Sequence, residues 1–323
     1  MPWSIIMLTM NKRGMAIASL SSVLRVRSQD DEIIVVDNRS SDGLAEWLRT
    51  RNDLVPIIGD VDLTVPQARN LGISRASNDD ILFLDSDIDL KPHSLTKMAE
   101  ALSDPVVGMV GDAAGIFIPE WIRNDTWGHD LPDGNYPGTN FIVGYCMGMR
   151  RDTIDLVGPF DEGFPRFYWE DVDYGVRVRK AGRSLVVVSE ICYHHGHSTV
   201  SARWTRREIS EVEKAGMARM LKKHEHDCPV WALVIANDAS EDDISSLHRS
   251  LNEEHPNTIL HVVSDVHPLP PWRLCFDRQW YPDHLYRRRC VFSAGRWVCS
   301  DPVVPQRDDG LAALTSPIDR RRF

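Results

Sequence analysis

The sequence predicts an α/β fold built on a mostly parallel sheet, and three observations carry that expectation. Short apolar runs recur at Ser4 to Thr9 (SIIMLT), Glu32 to Asp37 (EIIVVD), Val55 to Ile58, Ile81 to Leu84 and Val106 to Val110, each of a length that suits a strand buried on both faces. Amphipathic segments separate them, one through Leu20 and Val23 and others at Pro66 to Arg75 and Pro92 to Leu102, so strands and helices alternate as in a helix-covered sheet. Polar residues close three of the runs, namely Thr9, Asp37 and Asp85. Ligands of such sheets gather beyond the carboxyl ends of the strands, so these three ends are expected to face one crevice.

The remaining elements follow in order. From Phe117 to Gly138 the pattern gives way to Trp, Pro, Gly and Asp, which reads as a long irregular loop of the kind that shapes a binding site. Phe141 to Met149 reads as a strand, Glu170 to Lys180 as a helix closed by Gly182, Ser184 to Val188 as a strand and Glu208 to Lys223 as the last helix of the main domain. Beyond Asp227 a βαβ unit (Val230 to Ala236, Asp242 to Glu254, Ile259 to Val263) precedes Pro-, Trp- and Arg-rich sequence. The expected organisation is a catalytic domain over 1–226 and a small α/β appendage over 227–323. In the appendage Trp272, Trp280, Tyr281, Tyr286 and Arg287 to Arg289 interleave aromatic and basic side chains. That mixture suits an anionic acceptor, a membrane surface or a partner chain, and equally a packing domain with a solvated basic edge. Arg320 to Arg322 read as a tail.

Composition narrows the function. A chain that is 42% hydrophobic and 26% charged is ordinary for a globular protein, and a net charge of -10 argues against wholesale nucleic-acid binding. There is no charged-then-apolar leader and no apolar run near the roughly 18 residues of a membrane span, so a cytoplasmic location is expected. Cysteines Cys146, Cys192, Cys228, Cys275, Cys290 and Cys299 are scattered without a CxxC pair, the pattern of reduced structural thiols, although Cys290 and Cys299 have the spacing of a cross-hairpin pair.

Several clusters carry chemistry. Asp85, Ser86 and Asp87 follow the apolar strand ILFL; paired carboxylates there suit Mg2+ or Mn2+, with substrate phosphates completing the shell. Isolated D-x-D sequences are also common as helix caps and solvated turns. Asp37, with Asn38, Ser40, Ser41 and Asp42, closes the second strand, where a carboxylate can accept hydrogen bonds from a base N–H or a ribose, or cap a helix. Arg69, in PQARNLG with Gln67 and Asn70, can meet a phosphate, hold the acidic loop or form a surface salt bridge. Glu170, Asp171 and Asp173 follow the aromatic residues Phe167, Tyr168 and Trp169, which can desolvate one carboxylate and raise its basicity; solvent-facing helix starts have a similar composition. His194, His195 and His197 follow a strand, and one imidazole can be the nitrogen ligand of a metal otherwise held by aspartates.

In this order the stretches SIIMLTMN, IIVVDNRSSDG, QARNLGI, ILFLDSDIDL, GYCMGMRRDTIDLVGPFDEGF, YWEDVDYGVRVRKAG and ICYHHGHS resemble the large family-two group of inverting glycosyltransferases with the GT-A, Rossmann-like fold. The resemblance runs from about Ser4 to Ser198. It implies a nucleotide-sugar donor, with UDP expected ahead of dTDP or GDP, and an acceptor hydroxyl on a glycan, lipid, protein, small molecule or modified nucleic acid. It also implies that Thr9, Asn11, Asp37, Asn38 and Arg69 surround the nucleotide, that Asp85, Ser86 and Asp87 serve the metal and diphosphate, and that Asp171 is the general base beside Glu170. A histidine after the last strand approaches the metal in that family, which favours His194 over His195 and His197. Leu8 and Met10 depart from the family's usual first-strand ending, where proline and small or aromatic residues are frequent, and Asn38 replaces an aspartate found in many members.

Two rival functions follow from the same residues. Nucleotidyl transfer to a sugar phosphate uses a similar sheet but needs a glycine-rich basic loop after the first strand, where TMNKRG offers a single glycine. A silent nucleotide-sugar-binding module would have lost the acidic motif or the base, and both are intact.

Overall fold

A computed structural model describes residues 2–118, 123–127, 133–135, 139–196, 199–224, 231–235, 240–254, 259–263, 288–293 and 296–300. The chain divides into two compact units, Met1–Asp227 and Cys228–Phe323. In the first unit the chain opens with β1 (Trp3–Thr9), α1 (Arg13–Val26), β2 (Glu32–Asp37), α2 (Leu44–Arg49), β3 (Val55–Ile58), α3 (Val65–Ile73) and β4 (Asp80–Asp85). There follow β5 (Ile88–Leu90), α4 (Ser94–Leu102), β6 (Val107–Gly111), β7 (Ala114–Ile118), β8 (Arg123–Trp127), β9 (Phe141–Ile142) and β10 (Cys146–Arg150). The unit closes with α5 (Arg151–Val157), α6 (Glu170–Lys180), β11 (Ser184–Val187), β12 (Cys192–His194), α7 (Thr199–Arg203) and α8 (Arg206–His224).

Seven strands form the main sheet in the order β11-β6-β10-β4-β1-β2-β3. All neighbours are parallel except β10, which runs antiparallel between β4 and β6. The central strands are buried almost throughout, as parallel sheets covered on both faces require. Ile5, Met7, Ile33, Val35, Leu82 and Leu84 face one core with Leu20 and Val23 of α1. On α3, the hydroxyl of Thr64 accepts the Gln67 N–H and the Gln67 side chain accepts the Thr64 N–H, a capping box that starts the helix with Pro66 in its first turn. Gly72 then lets α3 sit against β1, since a Cβ there would collide with Ile6. On α6, acidic residues in the first turn and Arg177, Arg179 and Lys180 in the last complement the helix dipole.

Two expectations need correction. The strand expected over Phe141 to Met149 is two strands in different sheets: β9 pairs with β7, and β10 joins the main sheet, the break falling at Val143 to Tyr145. Part of the expected loop from Phe117 is an antiparallel hairpin of β7 and β8; residues 119–122, 128–132 and 136–138 lie outside the described residues. Asp42 serves two helix starts at once: its Oδ1 accepts the Leu44 N–H at 3.3 Å in the first turn of α2, whose N-cap is Gly43, and its Oδ2 accepts the Arg13 N–H at 2.7 Å at the start of α1.

The second unit contains β13 (Trp231–Ile235), α9 (Glu241–Glu254), β14 (Ile259–Val263), β15 (Arg288–Ser293) and β16 (Arg296–Ser300). Its sheet order is β14-β13-β15-β16, with β13 parallel to both neighbours and β15 antiparallel to β16. The register sets Cys290 opposite Cys299. Leu247 and Leu251, one helical turn apart on α9, are buried. Trp272, Trp280, Tyr281, Tyr286, Arg287 and Arg320 to Arg322 lie outside the described residues. Among the described residues no helix is long and apolar enough to cross a membrane.

Candidate active site

The three polar strand ends meet because β4, β1 and β2 are neighbours. Register places Leu8 beside Asp85 and Thr9 beside Asp37. Thr9 Oγ1 is buried without a hydrogen-bond partner among the described residues, an unmet hydroxyl where a ligand is expected. Asp37 is sealed from solvent; burial raises its carboxyl above its ordinary value, and hydrogen bonds from the Ser40 hydroxyl and N–H oppose that rise. Asn11, at φ 59°, donates its N–H to Ser40 Oγ at 2.6 Å and accepts the Ser41 N–H on its side chain at 2.9 Å. The loops after β1 and β2 are thereby laced together. The Asn38 side chain, expected at the nucleotide, is taken up by the backbone of Leu63: its Nδ2 donates to Leu63 O at 2.8 Å and its Oδ1 accepts the Leu63 N–H at 2.9 Å.

The acidic motif sits at the turn between β4 and β5. Pairing of β5 with β12 brings His194 Nε2 to 3.5 Å from Asp87 Oδ2. Burial acts to raise the Asp87 carboxyl, but the hydrogen bond and charge of His194 hold it below its ordinary value. Asp85 behaves in the opposite way: burial pushes it up to about 6, with Arg69 lowering it, Asp87 and Asp171 raising it and His194 lowering it. Carboxylates this close favour a shared cation. Tyr145 supports both sides of the motif, its carbonyl accepting the Asp85 N–H at 2.9 Å and its ring stacking on His194 at 4.6 Å. Ser86 lies in the turn, partly exposed. His195 is drawn elsewhere, with its Nε2 3.1 Å from Asp89 Oδ2, and His197 lies outside the described residues.

Among the described residues no three side chains are gathered tightly enough to hold an ion alone. Asp87 and His194 give one oxygen and one nitrogen donor with Asp85 beside them, the set that suits an ion completing its shell with substrate phosphate.

The three carboxylates at the start of α6 separate by helical geometry. Glu170 points inward, 4% exposed, with Oε1 3.3 Å from Arg69 Nη2 and Oε2 without a hydrogen-bond partner among the described residues. Burial raises its carboxyl above its ordinary value against the pull of Arg69. Asp171, partly exposed, accepts the Gly144 N–H on Oδ2 at 2.9 Å and the Val172 N–H on Oδ1 at 2.9 Å. Asp173 faces α8 and is fully buried. Of the two expected catalytic residues, Asp171 is therefore the one that solvent reaches, and Glu170 belongs to the wall behind it.

Arg69 also departs from expectation. It is 3% exposed, lies against the Phe83 and Phe160 rings, and donates Nη2 to Gly144 O at 3.1 Å. A side chain so enclosed is a brace under Asp85, Glu170 and Gly144, the "hold the acidic loop" role weighed for it in the sequence, rather than an arm reaching to a nucleotide. Gly144 and Tyr145 were legible only as part of GYCMGMRR; nothing in that stretch announces that its backbone N–H and carbonyl hold both acidic motifs.

Comparison with known proteins bears on the family and the fold. Residues 4–157 match the model of glycosyl transferase family 2. A relative in Myxococcus xanthus, the O-antigen biosynthesis protein RfbC, is 24% identical over 57% of this chain, a match spanning 16% of that protein. The N-acetylglucosaminyl-diphospho-decaprenol L-rhamnosyltransferase of Mycobacterium tuberculosis is 25% identical, covering 56% of this chain and 72% of its own. Among solved structures, GalNAc-T7 with UDP, GalNAc and Mn2+ superposes with a TM-score of 0.51 at 14% identity, covering 80% of this chain and 55% of that one, a likeness of fold. The chain thus has a GT-A-type sheet with an acidic turn at its carboxyl edge, and its residues 4–157 are similar to glycosyl transferase family 2.

Proposed function

We propose that the protein is a metal-dependent inverting glycosyltransferase that moves a sugar from a nucleoside-diphosphate sugar, UDP ahead of dTDP or GDP, to an acceptor hydroxyl. The observation that carries this reading is the convergence of Asp85, Asp87, His194 and Asp171 from β4, the following turn, β12 and α6 on one sheet edge. Thr9, Asn11 and Asp37 form the nucleotide end, where the unmet Thr9 hydroxyl can donate to, and the buried Asp37 carboxylate accept from, a base or ribose. Asp87 and His194 would hold Mn2+ or Mg2+, which when bound neutralises the charge of the departing diphosphate. Asp171 takes the acceptor proton; the acceptor oxygen attacks the anomeric carbon as the bond to the diphosphate breaks, and the nucleoside diphosphate leaves with the electron pair. The Gly144 N–H fixes the Asp171 carboxylate for that transfer. The Mycobacterium relative, named for a lipid-diphosphate-linked sugar, favours a glycan or lipid-linked acceptor.

The test is nucleoside diphosphate release from UDP-, dTDP- and GDP-sugars with manganese. Asp171→Asn is expected to bind the donor as the parent does while turnover falls by roughly 100-fold or more, the scale of general-base loss. Parental turnover in that variant would remove Asp171 from the role of base.

A further inference from the structure

The residues that set the candidate base are themselves gripped by α8, which lies beyond the family-matched residues 4–157. Three successive positions on one face of α8 hold the segment 161–173. Gly216 receives the Trp169 ring, which a Cβ would strike, with Pro165 packed tightly beside it. One turn on, Arg219 Nη2 donates to both oxygens of Asp161 at 2.7 and 2.9 Å, and its guanidinium lies over the Phe164 ring. Lys223 Nζ then bridges two carboxylates, Asp161 Oδ2 and Asp173 Oδ1, each at 2.7 Å. His224, buried, meets Asp173 Oδ1 at 2.8 Å, and Arg177 Nε closes the other oxygen at 2.9 Å.

This grip falls where the backbone is least able to hold itself. Tyr168 and Trp169 both adopt left-handed φ, 71° and 74°, a conformation that consecutive aromatic residues keep only when their surroundings over-determine it. Asp171 follows at once, and Asp173 lies in the same first turn, its N–H donated to Trp169 O at 2.9 Å. Fixing Asp173 from α8 therefore fixes the angle at which Asp171 meets the Gly144 N–H.

We propose that Lys223 and His224 are positioning residues: by clamping Asp173 and Asp161 they hold the first turn of α6 so that the Asp171 carboxylate stays in register with its acceptor. The proposal rests on Asp171 being the base. A misplacement of about 1 Å at a reacting group is enough to cost on the order of 100-fold in rate, whereas Thr9, Asn11 and Asp37 of the donor end are carried by β1, β2 and the loops that follow them.

The test is a double-mutant cycle on the full chain, read as nucleoside diphosphate release from whichever of the UDP-, dTDP- and GDP-sugars it cleaves with manganese. Lys223→Met is expected to lower kcat on the order of 10-fold or more with the donor KM unchanged, and Lys223→Arg, which can still span both carboxylates, to restore it. In the Asp171→Asn background the same Lys223→Met change should have no further effect, because its route to the chemistry is gone. An equal fold loss in both backgrounds, or no loss in the parent, overturns the clamp; a parental rate for Asp171→Asn alone overturns the base instead. Hydrogen exchange gives an activity-free arm: amides 170–174 should exchange faster in Lys223→Met while those of β4 do not, and unchanged exchange at 170–174 overturns the proposal even if no donor is cleaved.

Discussion

At the scale of single residues the site depends on a few groups with no freedom to move. Gly144 is the clearest: it donates to Asp171, accepts from Arg69, and has no room for a side chain because a Cβ would collide with the Arg69 guanidinium. Gly144→Ala is expected to cost about 1 to 3 kcal/mol, the usual penalty of overpacking, and to lower nucleoside diphosphate release more than it lowers donor affinity. Urea unfolding together with a donor titration checks both halves, and a variant with parental stability and rate would show that Arg69 yields without consequence. The pattern of polar residues after apolar strands pointed to Thr9, Asp37, Asp85, Asp87 and the His194–His197 cluster, and the family resemblance singled out Asp171 and favoured His194. The pattern did not distinguish Glu170 from Asp171 by residue type, nor reveal that Asn38 and Arg69 turn toward Leu63 and Glu170. Those partners are distant in the chain and carry no local signature.

At the scale of elements, α6 joins the site to the rest of the first unit. Its Asp173 is buried among His224, Lys223 and Arg177; burial acts to raise the carboxyl, and these three partners bring it below its ordinary value. A depressed folded value means that Asp173 contributes stability above its unfolded value of about 3.9 and loses it as pH falls through the lower folded value. Asp173→Asn is therefore expected to lose about 3 to 5 kcal/mol at pH 7, the cost of breaking a buried ion pair. The gap between parent and variant should narrow below about pH 4. Urea unfolding at pH 7 and pH 3 measures this, and a pH-independent gap would mean that Asp173 acts by packing alone. The strongly periodic elements were readable from the chain: Glu170 to Lys180 is a helix and Val55 to Ile58 a strand at the bounds their residues suggest. The hairpin β7–β8 and the short β5–β12 pair were not, because strands of three to five residues gain their partners only through tertiary pairing.

At the scale of the whole molecule, alternation of apolar and amphipathic segments was enough to give the parallel sheet and its functional edge, since strand order puts β4, β1 and β2 together. The antiparallel β10 between β4 and β6 escaped that reasoning, because a strand buried on both faces reads the same in either direction. The first unit contains the sheet, the acidic cluster and α8; residues 1–227 expressed alone are expected to unfold cooperatively and to retain the donor-dependent thermal shift of the full chain, and loss of that shift would give the second unit a part in donor binding. The most direct test of the central claim is a thermal-shift measurement with UDP, dTDP and GDP, each with and without manganese, on the parent and on Asp87→Asn. Ligand binding to the native state raises its stability, so a manganese-dependent rise is expected with one nucleotide and is expected to disappear in Asp87→Asn. No rise with any nucleotide, or an equal rise in the variant, would contradict it.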